Sequence, residues 1–189
     1  MRYAPEHNDA TRERIVDAAA RLFREHGIVA VGLATIMAEA GLTVGTFYTH
    51  FKSKEALVRE ALLRSLDARH EAVEQALQGA DLEDVVRAYL SPGHRDAAGT
   101  GCPVASLASE VARHPRATRS AFASHNAATL DVLAAWLSSR RGRKVARADA
   151  AALLGLLAGT LQLARATPDR GESDAILEAG VRAAMRLAN

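Results

Sequence analysis

Two groups of residues in this 189-residue chain have side-chain types and spacing suited to chemistry. The first lies at 41–54 and reads Gly-Leu-Thr-Val-Gly-Thr-Phe-Tyr-Thr-His-Phe-Lys-Ser-Lys. Phe47 and Phe51 stand four apart, so a helix through them turns both to one face for burial. Val44, Thr46, Tyr48, Thr49 and His50 then fall on other faces, where they can meet a partner. The second group centres on Cys102, between the Gly-rich stretch 91–101 and a helix start at Pro103, with His94, Arg95 and His114 near in sequence. A helix N-terminus and nearby cations favour the thiolate form, which makes Cys102 a candidate sensor of oxidants or electrophiles. The alternative is a small buried hydrophobe, the usual state of a free cysteine. A nucleophile with His94 or His114 as base is remote, because no motif supplies a third member or an oxyanion-hole loop. An enzyme is therefore not expected. The 7 histidines are scattered without ligand spacing, so no metal and no cofactor is expected either.

Elements must exist to hold these groups. Gly41 ends one short helix and Thr43 can cap the next, which is the arrangement of a helix-turn-helix. A helix this short is marginal in water by itself, so it needs a scaffold. Thr11 is read as the cap of a first helix over 11–26, stopped by Gly27, with Ile15, Ala18, Ala19, Leu22 and Phe23 as its buried stripe. Arg12, Arg14, Arg21 and Arg24 take its polar positions and are read as a solvated face, with Arg14 also a phosphate candidate. A short helix follows over 33–40, with Ile36 and Met37 inward. Ser53 caps a long helix to about Gln78, with Glu55 suited to its positive end, long enough to leave one domain and enter another. Gly79 and Asp81 separate it from a helix to about Leu90. Residues 91–101 read as the one clear loop of the second half. Helices are then expected over 103–111, 115–140, 146–166 and 174–188, with Ser173 capping the last and a basic connector over 140–144. The fold class is all-α with about nine helices, divided into a helix-turn-helix domain over 1–52 and a helical domain over 53–189.

Composition agrees. The chain is 49% hydrophobic but only 4% aromatic, and its many alanines suit closely packed helices. A net charge of +2 provides no strong basic field, so any DNA contact must come from a local patch or from its doubling in a dimer. The single Cys102 excludes an intrachain disulfide and fits a reducing cytosol. Residues 1–9 are polar, so no signal peptide is expected, and the longest apolar run, 150–161, is too short to cross a bilayer. A soluble, cytoplasmic protein is the expectation.

Residues 11–57 together resemble the DNA-binding domain of the TetR/AcrR family of repressors. The resemblance rests on Ile15, Ala18-Ala19, Leu22-Phe23, Gly27, Ile36, Ala40-Gly41, Thr43, Gly45, Tyr48, His50-Phe51 and Ser53-Lys54-Glu55-Ala56-Leu57, in the family's order and spacing. It implies a recognition helix in the major groove of double-stranded operator DNA, with Val44, Gly45 and Thr49 nearest the base edges. Thr46, Tyr48, His50 and Lys54 match positions that grip phosphates, which set register without reading sequence. Thr43 is mainly a cap. Tyr48 packing on the domain edge and His50 donating to backbone are the alternatives. The chain departs from the family pattern at Gly32 and Ala34, leaving Thr35 as the polar group near the start of the preceding helix.

The resemblance also implies an effector pocket and a homodimer interface in the second domain, by architecture alone. Cys102, Leu107, Phe122, Leu133 and Trp136 are candidates for a pocket that binds something small and mostly apolar, and they serve equally well as core. Gly155 and Gly159, four apart in an Ala- and Leu-rich helix, form a flat face on which another helix can sit closely. Ile176, Gly180 and Leu187 of the last helix extend it, either across a four-helix dimer interface or within one chain. The functional expectation is a repressor released from a palindromic operator by a small molecule, with thiol sensing through Cys102 as the alternative.

Overall fold

The computed structural model describes residues 5–188, with side chains over 9–187. The expectation on residues 1–9 falls mostly outside those limits. The nine expected helices are all present and no strand occurs among the described residues. A first unit is built from α1 (Pro5–His26), α2 (Leu33–Glu39), α3 (Val44–His50) and the start of α4 (Lys54–Ala76). The rest comprises α5 (Leu82–Tyr89), α6 (Pro92–Asp96), a 3-10 turn (Ala98–Thr100), α7 (Pro103–Val111), α8 (Arg116–Arg141), α9 (Arg147–Ala166) and α10 (Arg170–Ala188).

Local chemistry explains most boundaries. Gly27, Gly41, Gly79 and Gly142 have positive φ, and each follows the end of a helix. At Gly41 the amide of Leu42 donates to the Met37 carbonyl at 2.8 Å and that of Gly41 to Ala38 at 3.0 Å, a Schellman closure of α2. Ser53 accepts the Ala56 amide at 3.1 Å and Asp81 that of Asp84 at 2.8 Å, so both caps stand where the sequence puts them.

Four expectations need correction. The first helix begins at Pro5, and Thr11 is buried within it and does not cap it. Residues 91–101 are not one loop. Ser91 accepts the His94 amide at 3.1 Å with Pro92 in the first helical position, and α6 forms. Ser173 does not cap the last helix, which starts at Arg170, where Asp169 accepts the Glu172 amide at 2.8 Å. Ser173 instead is buried and donates to the Ala164 carbonyl at 2.7 Å. Thr43 holds the cap position of α3, but its hydroxyl meets Thr46 Oγ1 at 3.2 Å and makes no cap bond to backbone.

The first core joins Ile15, Phe23, Ile36, Phe47, Phe51 and Leu62. It also takes in Leu107 and Val111 of α7, so the helix-turn-helix unit is completed by α4 and by an element from far along the chain. The second core gathers Val86, Cys102, Leu137, Leu161, Leu177 and Val181 around α9. Burying each large side chain contributes roughly 1.5–3 kcal/mol, which is what holds the short α2 and α3 in place.

Candidate functional site

Phe47 is fully buried and Phe51 nearly so, with rings stacked at 5.5 Å, while Tyr48 meets Phe47 edge-on at 5.2 Å. This anchor leaves the opposite side of α3 facing solvent. Tyr48 is 67% and Val44 42% exposed, and Thr43, Gly45, Thr49 and, on α2, Thr35 are exposed as well. Thr46 and His50 are half-buried at the margins. Thr49 donates its hydroxyl proton to the Thr46 carbonyl at 2.7 Å, so its free lone pairs suit a donor on a base edge. Burial, and then the positive charge of Arg12, push the His50 pKa below its ordinary value, so at neutral pH it offers an N–H without a charge. Arg12 lies 4.3 Å over the Phe51 ring and pairs with Glu60 at 2.6 Å. The sequence reading left it on a solvated face, because the ring and the carboxylate are distant in sequence.

Two cations of this region are already engaged. Lys54 stands at the N-terminus of α4, but its ammonium donates to the Ile28 carbonyl at 2.8 Å. Arg14 donates one of its five N–H groups to the Ala40 carbonyl at the end of α2. Glu55 reaches the second half of the chain, accepting from Thr118 at 2.6 Å and bonding His114 at 2.9 Å. Glu110 of α7 accepts the Val29 amide at 3.0 Å. The α1–α2 connection and the start of α4 are therefore tied to α7 and α8 through carboxylates.

A cavity of about 330 Å³ lies between α4, α5, α8 and α9. Its apolar wall is Val73, Leu77, Val86, Leu133, Leu154 and Leu157. Its polar lining includes Arg24, Arg69, Tyr89, His94 and Thr129 beside Cys102. Of the candidate pocket residues, the structure brings Cys102 and Leu133 to this lining. Leu107 and Phe122 belong to the first core instead, and Trp136 stands behind the wall, donating to the Leu77 carbonyl at 3.0 Å. The expectation of a mostly apolar pocket gains a polar end, since Arg24, read as part of a solvated face, lines the cavity together with Arg69.

His94 Nδ1 bonds the Tyr89 carbonyl at 2.6 Å while Nε2 accepts the Cys102 amide at 3.0 Å. Burial holds its pKa below the ordinary histidine value, in keeping with a neutral ring. Its lone pair is occupied by an amide and His114 is bound to Glu55, so neither histidine is placed to deprotonate Cys102.

On the last two helices the small residues divide. A Cβ on Gly155 or Gly159 would meet nothing within 4 Å, whereas one on Gly180 would meet Leu90 Cδ1 and Thr160 Oγ1 at 2.9 Å. Gly180 serves contact within the chain. Ile176 packs half-buried on the second core, and Leu187 of α10 and Leu163 of α9 are 50% and 63% exposed.

Comparison with known proteins agrees with this architecture. The profile of the family described as "Bacterial regulatory proteins, tetR family" matches residues 15–61. The chain is similar to the transcriptional regulator TtgR of Pseudomonas putida, 38% identical over 84 residues, which cover 44% of this chain and 40% of TtgR. It is 30% identical to the regulator UidR of Escherichia coli over 107 residues, 56% of this chain and 54% of UidR. The matches thus span about half or less of these relatives' lengths. The fold resembles that of reduced E. coli NemR, with a TM-score of 0.75, 23% identity, and coverage of 93% of this chain and 95% of NemR.

Proposed function

Because the chain belongs to the TetR family of bacterial regulatory proteins, we propose that it binds operator DNA as a homodimer and represses transcription until a small molecule fills its cavity. The observation that carries this reading is the anchored α3, buried through Phe47 and Phe51 and open on the side that holds Val44, Tyr48 and Thr49. In the proposed complex Val44 offers apolar contact to a thymine methyl, Gly45 lets the backbone approach, and Thr49 hydrogen-bonds a base. Thr46, Tyr48 and His50 hold phosphates, and Thr35 supplements from α2. Lys54 joins them with an ammonium that keeps two further N–H donors beside the one given to the Ile28 carbonyl. The open face of Gly155, Gly159, Leu163 and Leu187 is the proposed dimer contact, which would set two α3 helices on successive major grooves.

The mechanism follows from α4. Its first turns complete the core under α3, and its later turns wall the cavity through Val73 and Leu77. A ligand that shifts α4 therefore moves the reading helices, and the Glu55 bonds to His114 and to Thr118 of α8 carry the same displacement. No described helix is long and apolar enough to cross a membrane.

The test is protection of a palindrome upstream of the protein's own gene by the purified full-length chain. Thr49→Ala should weaken the palindrome about tenfold more than random DNA, and Tyr48→Ala should weaken both alike. Absence of any protected site defeats the proposal.

A further inference from the structure

The polar end of the cavity is rich in hydrogen-bond donors and holds no carboxylate. Arg24 and Arg69 line it, and among the described residues no aspartate or glutamate does. Their bonds run to neutral partners: Arg24 to the Ser65 hydroxyl and, at 2.8 Å, the Gly99 carbonyl, and Arg69 to the Asn126 amide oxygen at 3.0 Å. Arg165, behind the same end, also bonds only a hydroxyl and carbonyls, those of Ser106, His94 and Arg95. Three guanidinium groups thus gather at one place with no carboxylate bonded to them among the described residues. The Tyr89 hydroxyl is buried there beside the Cys102 thiol without a hydrogen-bond partner of normal geometry. A buried hydroxyl without a partner costs free energy until an acceptor arrives. The neutral His94 offers no lone pair, since its Nε2 already accepts the Cys102 amide. Opposite this end the wall is aliphatic, and about 330 Å³ lies near the lower limit of small-molecule sites, roughly 300–1,000 Å³.

Resting on the reading of this cavity as the effector site, the geometry points to a small amphipathic organic anion as its ligand. Its carboxylate accepts from Arg24 and the Tyr89 hydroxyl, and its hydrocarbon body lies along Val86, Leu154 and Leu157. Uncharged drug-like molecules would leave the guanidinium groups uncompensated, and cations would be repelled. The head group also acts on the reading unit, because Arg24 belongs to α1 and its bond to Ser65 ties α1 to α4. A carboxylate that takes this guanidinium competes directly with that tie.

The experiment titrates the full-length protein with straight-chain carboxylates from hexanoate to dodecanoate, with the matching primary amides and with the matching alkylamines. Calorimetry and the fluorescence of the single Trp136, which is bonded to the cavity residue Leu77, report binding. The best carboxylate should bind roughly ten- to a hundredfold tighter than its amide, and the amine weakest. Arg24→Gln should bring the ratio of carboxylate to amide affinity close to one, and Tyr89→Phe, which keeps the packing, should lower it in part. If Arg24→Gln fails to fold, the wild-type comparison and Tyr89→Phe still decide. Equal affinity for amide and carboxylate, tightest binding of the amine, or no binding of any carboxylate overturns the inference. The same ligands are then added to the protein bound to its operator. Release by an amide or amine alone overturns the anion inference and leaves the effector cavity standing. Carboxylate-selective binding that never alters operator affinity supports the ligand class and defeats the regulatory reading.

Discussion

Replacing Gly180 by alanine and Gly155 by alanine should move stability in opposite directions, although both glycines lie in long alanine-rich helices. In each case the helix gains about 0.8–1.0 kcal/mol of intrinsic propensity. At Gly155 nothing lies within 4 Å of the new methyl group, so that gain stands alone. At Gly180 the methyl group comes within 2.9 Å of both Leu90 Cδ1 and Thr160 Oγ1, and Thr160 Cγ2 is nearer still. Carbon atoms prefer about 3.5–4.0 Å, so α10 must retreat from α9 or Thr160 must turn. Overpacking of this kind costs about 1–3 kcal/mol. The propensity terms cancel in the difference, so Gly180→Ala should be about 1–3 kcal/mol less stable than Gly155→Ala, or roughly 3–9 °C in Tm for a chain of this size. Urea denaturation of both variants at one protein concentration measures the gap. Thr160→Ala removes the two Thr160 atoms but leaves Leu90 Cδ1 in place, so the double variant should recover part of the loss. Equal stabilisation by the two substitutions would refute the packing of α9 against α10. Sedimentation of Gly155→Ala tests the proposed dimer separately: if a partner helix packs on this face, the added methyl group should weaken self-association.

Glu55→Ala should cost about 1–3 kcal/mol, because it strips the buried Thr118 hydroxyl and the His114 ring of their acceptor; an unchanged urea midpoint would remove the tie between α4 and α8. The pKa of His94 is depressed below 6.5 by burial, so the unfolded chain takes up the proton first as acid is added. Its contribution to stability should be full above about pH 6.5 and fade as pH falls below it; His94→Gln should flatten that part of the pH profile, and a steeper one would show that another group governs it. Cys102 is only 6% exposed but lines the cavity, so a ligand held there should slow its alkylation by N-ethylmaleimide. Cys102→Ser should leave operator binding intact, and loss of that binding would mean the thiol is needed for the fold.

Much of the helix-turn-helix unit was legible in the sequence because its determinants are local. Gly41 with positive φ, the Ser53 cap and the Phe47–Phe51 spacing each act within about one helical turn. The Ser91-Pro92 helix was legible in principle, since a serine cap before proline is a start signal, but the surrounding glycines obscured it. The exposure of Tyr48 and Thr49 follows from the same periodicity that buries Phe47.

The sequence by itself determined the all-α class, the succession of helices and the face that α3 turns to solvent, since neighbours in the chain decide those. Only the tertiary structure decided which side chains meet from distant positions. It turned Arg24, Arg69 and Tyr89 to one cavity end, drew Lys54 and Arg14 onto backbone carbonyls, and set Gly180 against Thr160 while leaving Gly155 open. An arginine on a helix has the same pattern in sequence whether it faces water or a cavity. The packing of one helix on another, which depends on crossing and depth as well as on spacing, makes the difference.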